Sequence, residues 1–92
     1  MLDRERIENE VTSADRLAKR IDRPRGVHGI RIESDQDHDG NPMLVVSVDL
    51  DDDLNPSDER LDELIDYEDK IARTIRESGA ISWPLVRLVP RT

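Results

Sequence analysis

The sequence predicts an α+β fold: a two-layer αββαβ sandwich with a three-stranded mixed sheet and two helices on one face. Three observations predict it. Apolar residues recur at helical spacing in two stretches, 7–21 and 61–75. They alternate with period two in two stretches between residues 26 and 50, and a last apolar run, Ile81 to Val89, is bounded by Gly79 and Pro90. A strand-helix-strand succession needs a crossover, so the second and third strands are expected to run parallel.

The first helix rests on Ile7, Val11, Ala14, Ala18 and Ile21, with Leu17 at the edge of the stripe. Pro24 disfavours helical geometry at Arg23, and Gly26 follows, so the helix should stop near Asp22. In the first strand His28, Ile30 and Ile32 are predicted to share a buried face. In the second, Met43 to Leu50, that face is Leu44, Val46, Val48 and Leu50. Pro42 gives no amide hydrogen to a ladder and suits the strand's entry.

The second helix has cap residues in Asn55-Pro56-Ser57-Asp58 and a left-handed stop at Ser78-Gly79. Leu61, Leu64, Ile65, Ile71, Ala72 and Ile75 form its apolar stripe, with Glu68 close to the middle of that stripe. The third strand, rich in Leu85, Val86, Leu88 and Val89, reads as well covered on both faces.

Length bounds the chain to one domain, residues 1–92, with one modest core. There is no cysteine, which removes disulfides and thiolate metal sites and fits a reducing compartment. No apolar run approaches the ~20 residues that cross a bilayer, and the charged start is unlike a signal peptide. A soluble, cytoplasmic protein without membrane insertion is the expectation. Residues 1–34 hold 8 basic and 7 acidic side chains, residues 35–70 hold 2 and 14, and residues 71–92 hold 4 and 1. So acidic a centre repels phosphates, and Trp83 and Tyr67 are the only aromatics, which argues against nucleic acid as a partner. A basic protein partner or cations remain open.

Across nearly the whole chain, a first helix ending in a proline turn, Gly26-Val27-His28-Gly29-Ile30-Arg31-Ile32, Val45-Val46-Ser47-Val48-Asp49-Leu50, an acidic stretch, an amphipathic helix and a strand closing on Val89-Pro90 resemble the cytoplasmic domain of cation diffusion facilitator metal transporters. The resemblance implies a ferredoxin-like, metallochaperone-like αββαβ fold, pairing into dimers and, in many members, binding of zinc or related divalent ions. His28 stands where the family carries a metal-binding histidine. Ile65 replaces the histidine expected on the second helix, and Arg87 and Val89 align with the ligand positions of the last strand. Most ligands are thus missing from the match, and transport by this chain alone is not expected.

Asp35-Gln36-Asp37-His38-Asp39-Gly40 reproduces the first half of a calcium loop, making Asp35, Asp37 and Asp39 weak cation candidates beside His28. The position of the bidentate glutamate is Val46, so an aspartate- and glycine-rich hairpin turn is the better reading. Asp51-Asp52-Asp53 reads as solvated charge ahead of a helix. Glu68 needs a partner, with His28 or Arg87 expected; a place under a second subunit or a coordinating role are the alternatives.

No nucleophile or oxyanion donor accompanies these groups, so no enzyme and no cofactor is expected. The function expected is a dimerisation or protein-interaction module, with a divalent-cation-responsive domain as the alternative. A homodimer would form through Trp83, Leu85, Val89 and the seam of the first helix. On the second helix Asp58, Glu59, Asp62, Glu63, Asp66 and Asp69 crowd the exposed side. Asp62, Glu63 and Asp66 are expected to lie beyond the first turn, where the dipole no longer favours them, and so to dock a basic protein.

Overall fold

The computed structural model describes residues 4–51 and 59–90, with side chains from residue 8 onward. Its elements run α1 (Arg4–Lys19), β1 (Val27–Gln36), β2 (Pro42–Leu50), α2 (Leu61–Glu77) and β3 (Trp83–Val89). The predicted αββαβ order is the observed one. The sheet order is β1-β2-β3, with β1 antiparallel and β3 parallel to the central β2.

Why β2 is central follows from its residues: Leu44, Val46, Val48 and Leu50 point to one side and all are buried. Against them pack Ala14 and Ala18 of α1 and Leu64, Tyr67, Ile71 and Ile75 of α2, with Val27, Ile30, Ile32, Val86 and Leu88 closing the margins. Both helices therefore cover the same face. The side chain of Ile7 and the cap candidates Asn55 to Asp58, with Asp52 and Asp53, lie outside the described residues.

The helix stops are as the local chemistry requires. Gly79 adopts φ +83°, the left-handed conformation that a glycine takes without steric cost, just after the last turn of α2. At the other end α2 begins at Leu61, with Arg60 as its N-cap and no side-chain cap bond. That start places Asp62 and Glu63 in the first turn of the helix, where the macrodipole favours carboxylates, a correction to the expectation that they lie beyond it. Asp66 remains outside it.

Three predicted burials are corrected. Ile65 is 49% exposed, and Tyr67, which the apolar count passed over, fills the core in its place. The third strand is an edge strand whose Trp83 and Leu85 are exposed, since no helix covers their side of the sheet. His28 does not share a face with Ile30 and Ile32. The β1–β2 register jumps there: Val27 opposes Leu50 and Gly29 opposes Asp49, leaving His28 as the extra residue of a bulge. One inserted residue reverses the phase of the alternation, so Val27 faces the core and the His28 side chain is 77% exposed.

Candidate interaction surfaces

Strand pairing fixes what the helix-free face of the sheet displays. Successive residues alternate sides, so opposite the buried set lie Asp35, Met43 and Trp83 in one row, Glu33, Val45 and Leu85 in the next, then Arg31, Ser47 and Arg87, then Gly29, Asp49 and Val89. Half of this grid is apolar and half polar. Trp83 and Leu85, at 43% and 41% exposure, stand over Met43 and Val45.

Four members of the polar half pair with one another. Arg31 donates from Nε and Nη2 to the two carboxylate oxygens of Asp49 at 2.8 and 2.9 Å. Hydrogen bonding and charge from Arg31 hold the Asp49 carboxyl below its ordinary range, and Asp49 in turn raises Arg31. Arg87 donates from Nε to Ser47 Oγ at 2.9 Å, which satisfies a buried hydroxyl.

The hairpin tip shows what its carboxylates do. Asp37 Oδ1 accepts from the backbone N–H of Asn41 at 2.8 Å and of Asp39 at 2.9 Å. Those bonds, that of Asn41 first, lower the Asp37 carboxyl, and the chain turns at Gly40 with φ +84°. Asp35 accepts from the N–H of Gln36 at 2.8 Å. Asp35 and Asp37 thus bind nearby backbone groups, as in a hairpin turn, while Asp39 contributes its backbone N–H to Asp37. His28 Nδ1 lies 3.4 Å from Asp51, apart from that loop. Among the described residues no three His, Asp or Glu side chains come together to hold a metal ion.

Glu68 meets neither expected partner, since His28 is beside Asp51 and Arg87 is on Ser47. Burial alone raises its carboxyl above the ordinary value. A carboxylate that the sequence reading passed over is anchored instead. Glu10 of α1 accepts from the backbone N–H of Ile81 at 2.6 Å and of Ser82 at 3.1 Å through Oε1, and from Ser82 Oγ at 2.9 Å through Oε2. The helix is thereby tied to the start of β3. The available signal was position: Glu10 sits three residues after Ile7 and four before Ala14, within the apolar stripe of α1.

On α2, Asp69 pairs with Arg73, as i,i+4 spacing favours. Asp66 and Lys70, at the same spacing, form no such pair among the described residues. Instead Glu63, Asp66, Tyr67 and Lys70, one ridge of α2, face Asp22, Arg23 and Pro24 of the turn after α1 across a pocket of ≈ 270 Å³. Tyr67 is 3% exposed and its hydroxyl is buried without a hydrogen-bond partner. Burial raises that hydroxyl's pKa, against a smaller lowering by Arg23. Of the residues proposed to bind a partner, Glu63 and Asp66 are therefore brought together with Asp22, whereas Asp62 is exposed but absent from the pocket wall and Trp83 belongs to the sheet face.

No family model matches the sequence, and no curated protein matches it. Solved structures do. A variant of the MamM C-terminal domain, the cytoplasmic domain of a cation diffusion facilitator, aligns with 92% of this chain and 98% of its own, with a TM-score of 0.60 and 11% identity. A copper form of the MamM domain aligns with 97% of this chain and 87% of its own, with a TM-score of 0.57 and 12% identity. The nickel form of another variant gives a TM-score of 0.56 at 12% identity, over 96% of this chain and 99% of that one. The ferredoxin-like αββαβ fold is common to all of them; at this identity the likeness is one of fold.

Proposed function

We propose that this domain is a non-enzymatic interaction module that pairs with a second copy of itself through the helix-free face of its sheet. The observation that carries this is the exposure of Trp83 and Leu85 side by side over Met43 and Val45 on that face. A two-fold pairing needs a surface that complements itself. This one carries an apolar half and its own charges of both signs, Glu33 and Asp35 on one edge, Arg31 and Arg87 towards the other end. Its fold likeness to cation diffusion facilitator domains supports a regulatory or dimerising role over catalysis, and the described residues contain no helix long and apolar enough to cross a membrane.

Sedimentation at tens of micromolar is expected to show a dimer. Leu85→Lys should weaken it at least tenfold while changing unfolding free energy by no more than about 0.5 kcal/mol, because the side chain is on the surface of the monomer. A monomeric parent protein at that concentration would sink the reading.

The acidic side of α2 supports a second contact, with a basic patch of a different protein. Asp62 and Glu63 are accounted for by the helix dipole, but Asp66 and Asp22 are not, and both border the same pocket as Glu63. Such a contact should weaken as salt screens it. Reversal of Asp62, Glu63 and Asp66 to lysine should abolish capture of a basic partner with the circular dichroism spectrum unchanged. Capture with the original salt dependence would reduce this face to a solubilising surface.

A further inference from the structure

We infer that the free edge of β1 pairs with the β1 edge of a second copy, antiparallel about a two-fold axis at Ile32, so that two three-stranded sheets become one continuous sheet. The contact uses a surface separate from the open face. It neither requires nor excludes the pairing proposed there, and where both form it links one pair of copies to the next.

The ladder decides which groups the edge offers. At the hairpin the N–H of Asp37 donates to the carbonyl of Asn41 at 3.0 Å, and the register runs on from there to Gly29 opposite Asp49. Residues of an antiparallel pair exchange bonds at every second position. Asp35, Glu33, Arg31 and Gly29 therefore turn their backbone groups to β2, and Ile30, Ile32 and Ser34 turn theirs outward. Among the described residues these outward groups have no hydrogen-bond partner, which makes the edge a template for another strand. The stretch is closed at both ends. The His28 carbonyl accepts from Arg23 Nη1 at 3.1 Å, and the Gln36 N–H donates to Asp35 Oδ1 at 2.8 Å. The other edge strand, β3, carries Pro84, which has no N–H to give, whereas β1 carries no proline. Beside Ile30 the space is open, a pocket of ≈ 290 Å³ lined by Ile30, Lys19 and Arg23.

The side chains identify the occupant, because Arg31-Ile32-Glu33 is its own antiparallel complement. With the axis at Ile32, Arg31 of each copy lies directly across from Glu33 of the other. These are the non-hydrogen-bonded positions, where facing side chains come closest. On the helix side the half-buried Ile32 meets its own copy and Ile30 lies across from Ser34. Both charged groups can respond. Glu33 has no hydrogen bond or ion pair among the described residues, and Arg31 gives Nε and Nη2 to Asp49, which leaves Nη1 to donate. Moving the axis by one residue, to Arg31 or to Glu33, sets two arginines or two glutamates face to face, which disfavours those registers.

Amide hydrogen exchange of the whole chain, resolved by NMR at tens of micromolar and at low millimolar concentration, tests the pairing. A Kd of roughly 0.1–1 mM is expected, since only three residues of each strand contribute outward bonds and small interfaces are weak. Exchange at Ile30, Ile32 and Ser34 should slow several-fold at the higher concentration. Arg31 and Glu33, already bonded to β2, should not change. Leu85→Lys should keep this alternating pattern. Glu33→Arg should remove it, weakening the pairing at least tenfold by placing like charges at two symmetric positions. The exposed side chain leaves the melting temperature within a few degrees of the parent's.

No slowing at the three amides, equal slowing at Arg31 and Glu33, or an unaltered pattern in Glu33→Arg would each overturn the edge pairing. Loss of the pattern in Leu85→Lys would also overturn it and assign the protection to the open face. The two contacts fail separately. If sedimentation shows a dimer that Leu85→Lys dissociates and no alternating pattern is seen, the face pairing stands and the edge pairing falls. If the pattern is seen in a chain that sediments as a monomer at tens of micromolar, the edge pairing stands and the face pairing falls.

Discussion

The two faces of this sheet grow from the same alternation of residues along the same strands, yet they have different fates. On the covered face Leu44, Val46 and Val48 are fully buried beneath α1 and α2. On the open face the apolar side chains stop halfway, and the remainder is an arginine-aspartate pair and an arginine-serine bond that satisfy their own polar groups. The difference lies in the helices, which hold enough apolar surface for one side only. A small domain with two aromatic residues cannot close both faces from within, and what it leaves open is where a partner can contribute.

The sharpest way to test this contrast is to remove volume from the covered side. Ile71→Ala, at a position with no exposure, should cost about 2–5 kcal/mol in urea unfolding, against the small change expected of Leu85→Lys in the monomer. Comparable losses at the two sites would break the distinction between the faces. A smaller effect is expected at the joint between layers. Glu10→Ala leaves the N–H groups of Ile81 and Ser82 and the buried Ser82 hydroxyl without their acceptor, a loss of about 1–3 kcal/mol. It should be accompanied by faster amide exchange at Ile81 and Ser82.

The smallest effect concerns Glu68, where burial raises the carboxyl above its ordinary value. In the folded state it holds its proton to higher pH than in the unfolded chain, so its contribution to stability falls as pH rises through the raised value. Glu68→Gln should therefore raise the melting temperature slightly at pH 7 and leave it unchanged in acid below the ordinary glutamate range. A gain that persists unaltered at acid pH would assign it to packing and not to charge.

Much of this architecture is legible in the chain because periodicity reports which way a side chain points. Leu44, Val46, Val48 and Leu50, with Leu64, Ile71 and Ile75 of α2, face the core as their spacing requires, and Gly79 stops its helix as a left-handed residue should. Periodicity fails wherever the count is interrupted. A single bulged residue carries His28 to the other side of the sheet, and nothing in the alternation around Gly26 to Ile32 announces it. The α2 start presents a similar difficulty: its placement decides whether Asp62 and Glu63 are explained by the dipole. Glu10 and the buried Tyr67 are hard to read for another reason, since their settings depend on residues distant in sequence, Ser82 and the turn at Asp22 to Pro24.

The central position of β2 has a kinetic consequence. Its pairing with β1 closes through a short turn, whereas its parallel pairing with β3 joins Met43 to Trp83 across the whole of α2. Closing the longer loop costs more chain entropy before any contact offsets it. The hairpin is thus the natural nucleus, and β3 docks late, bringing Trp83 and Leu85 into line only as the last strand is laid down. The pairing proposed for the open face would therefore be coupled to the completion of folding.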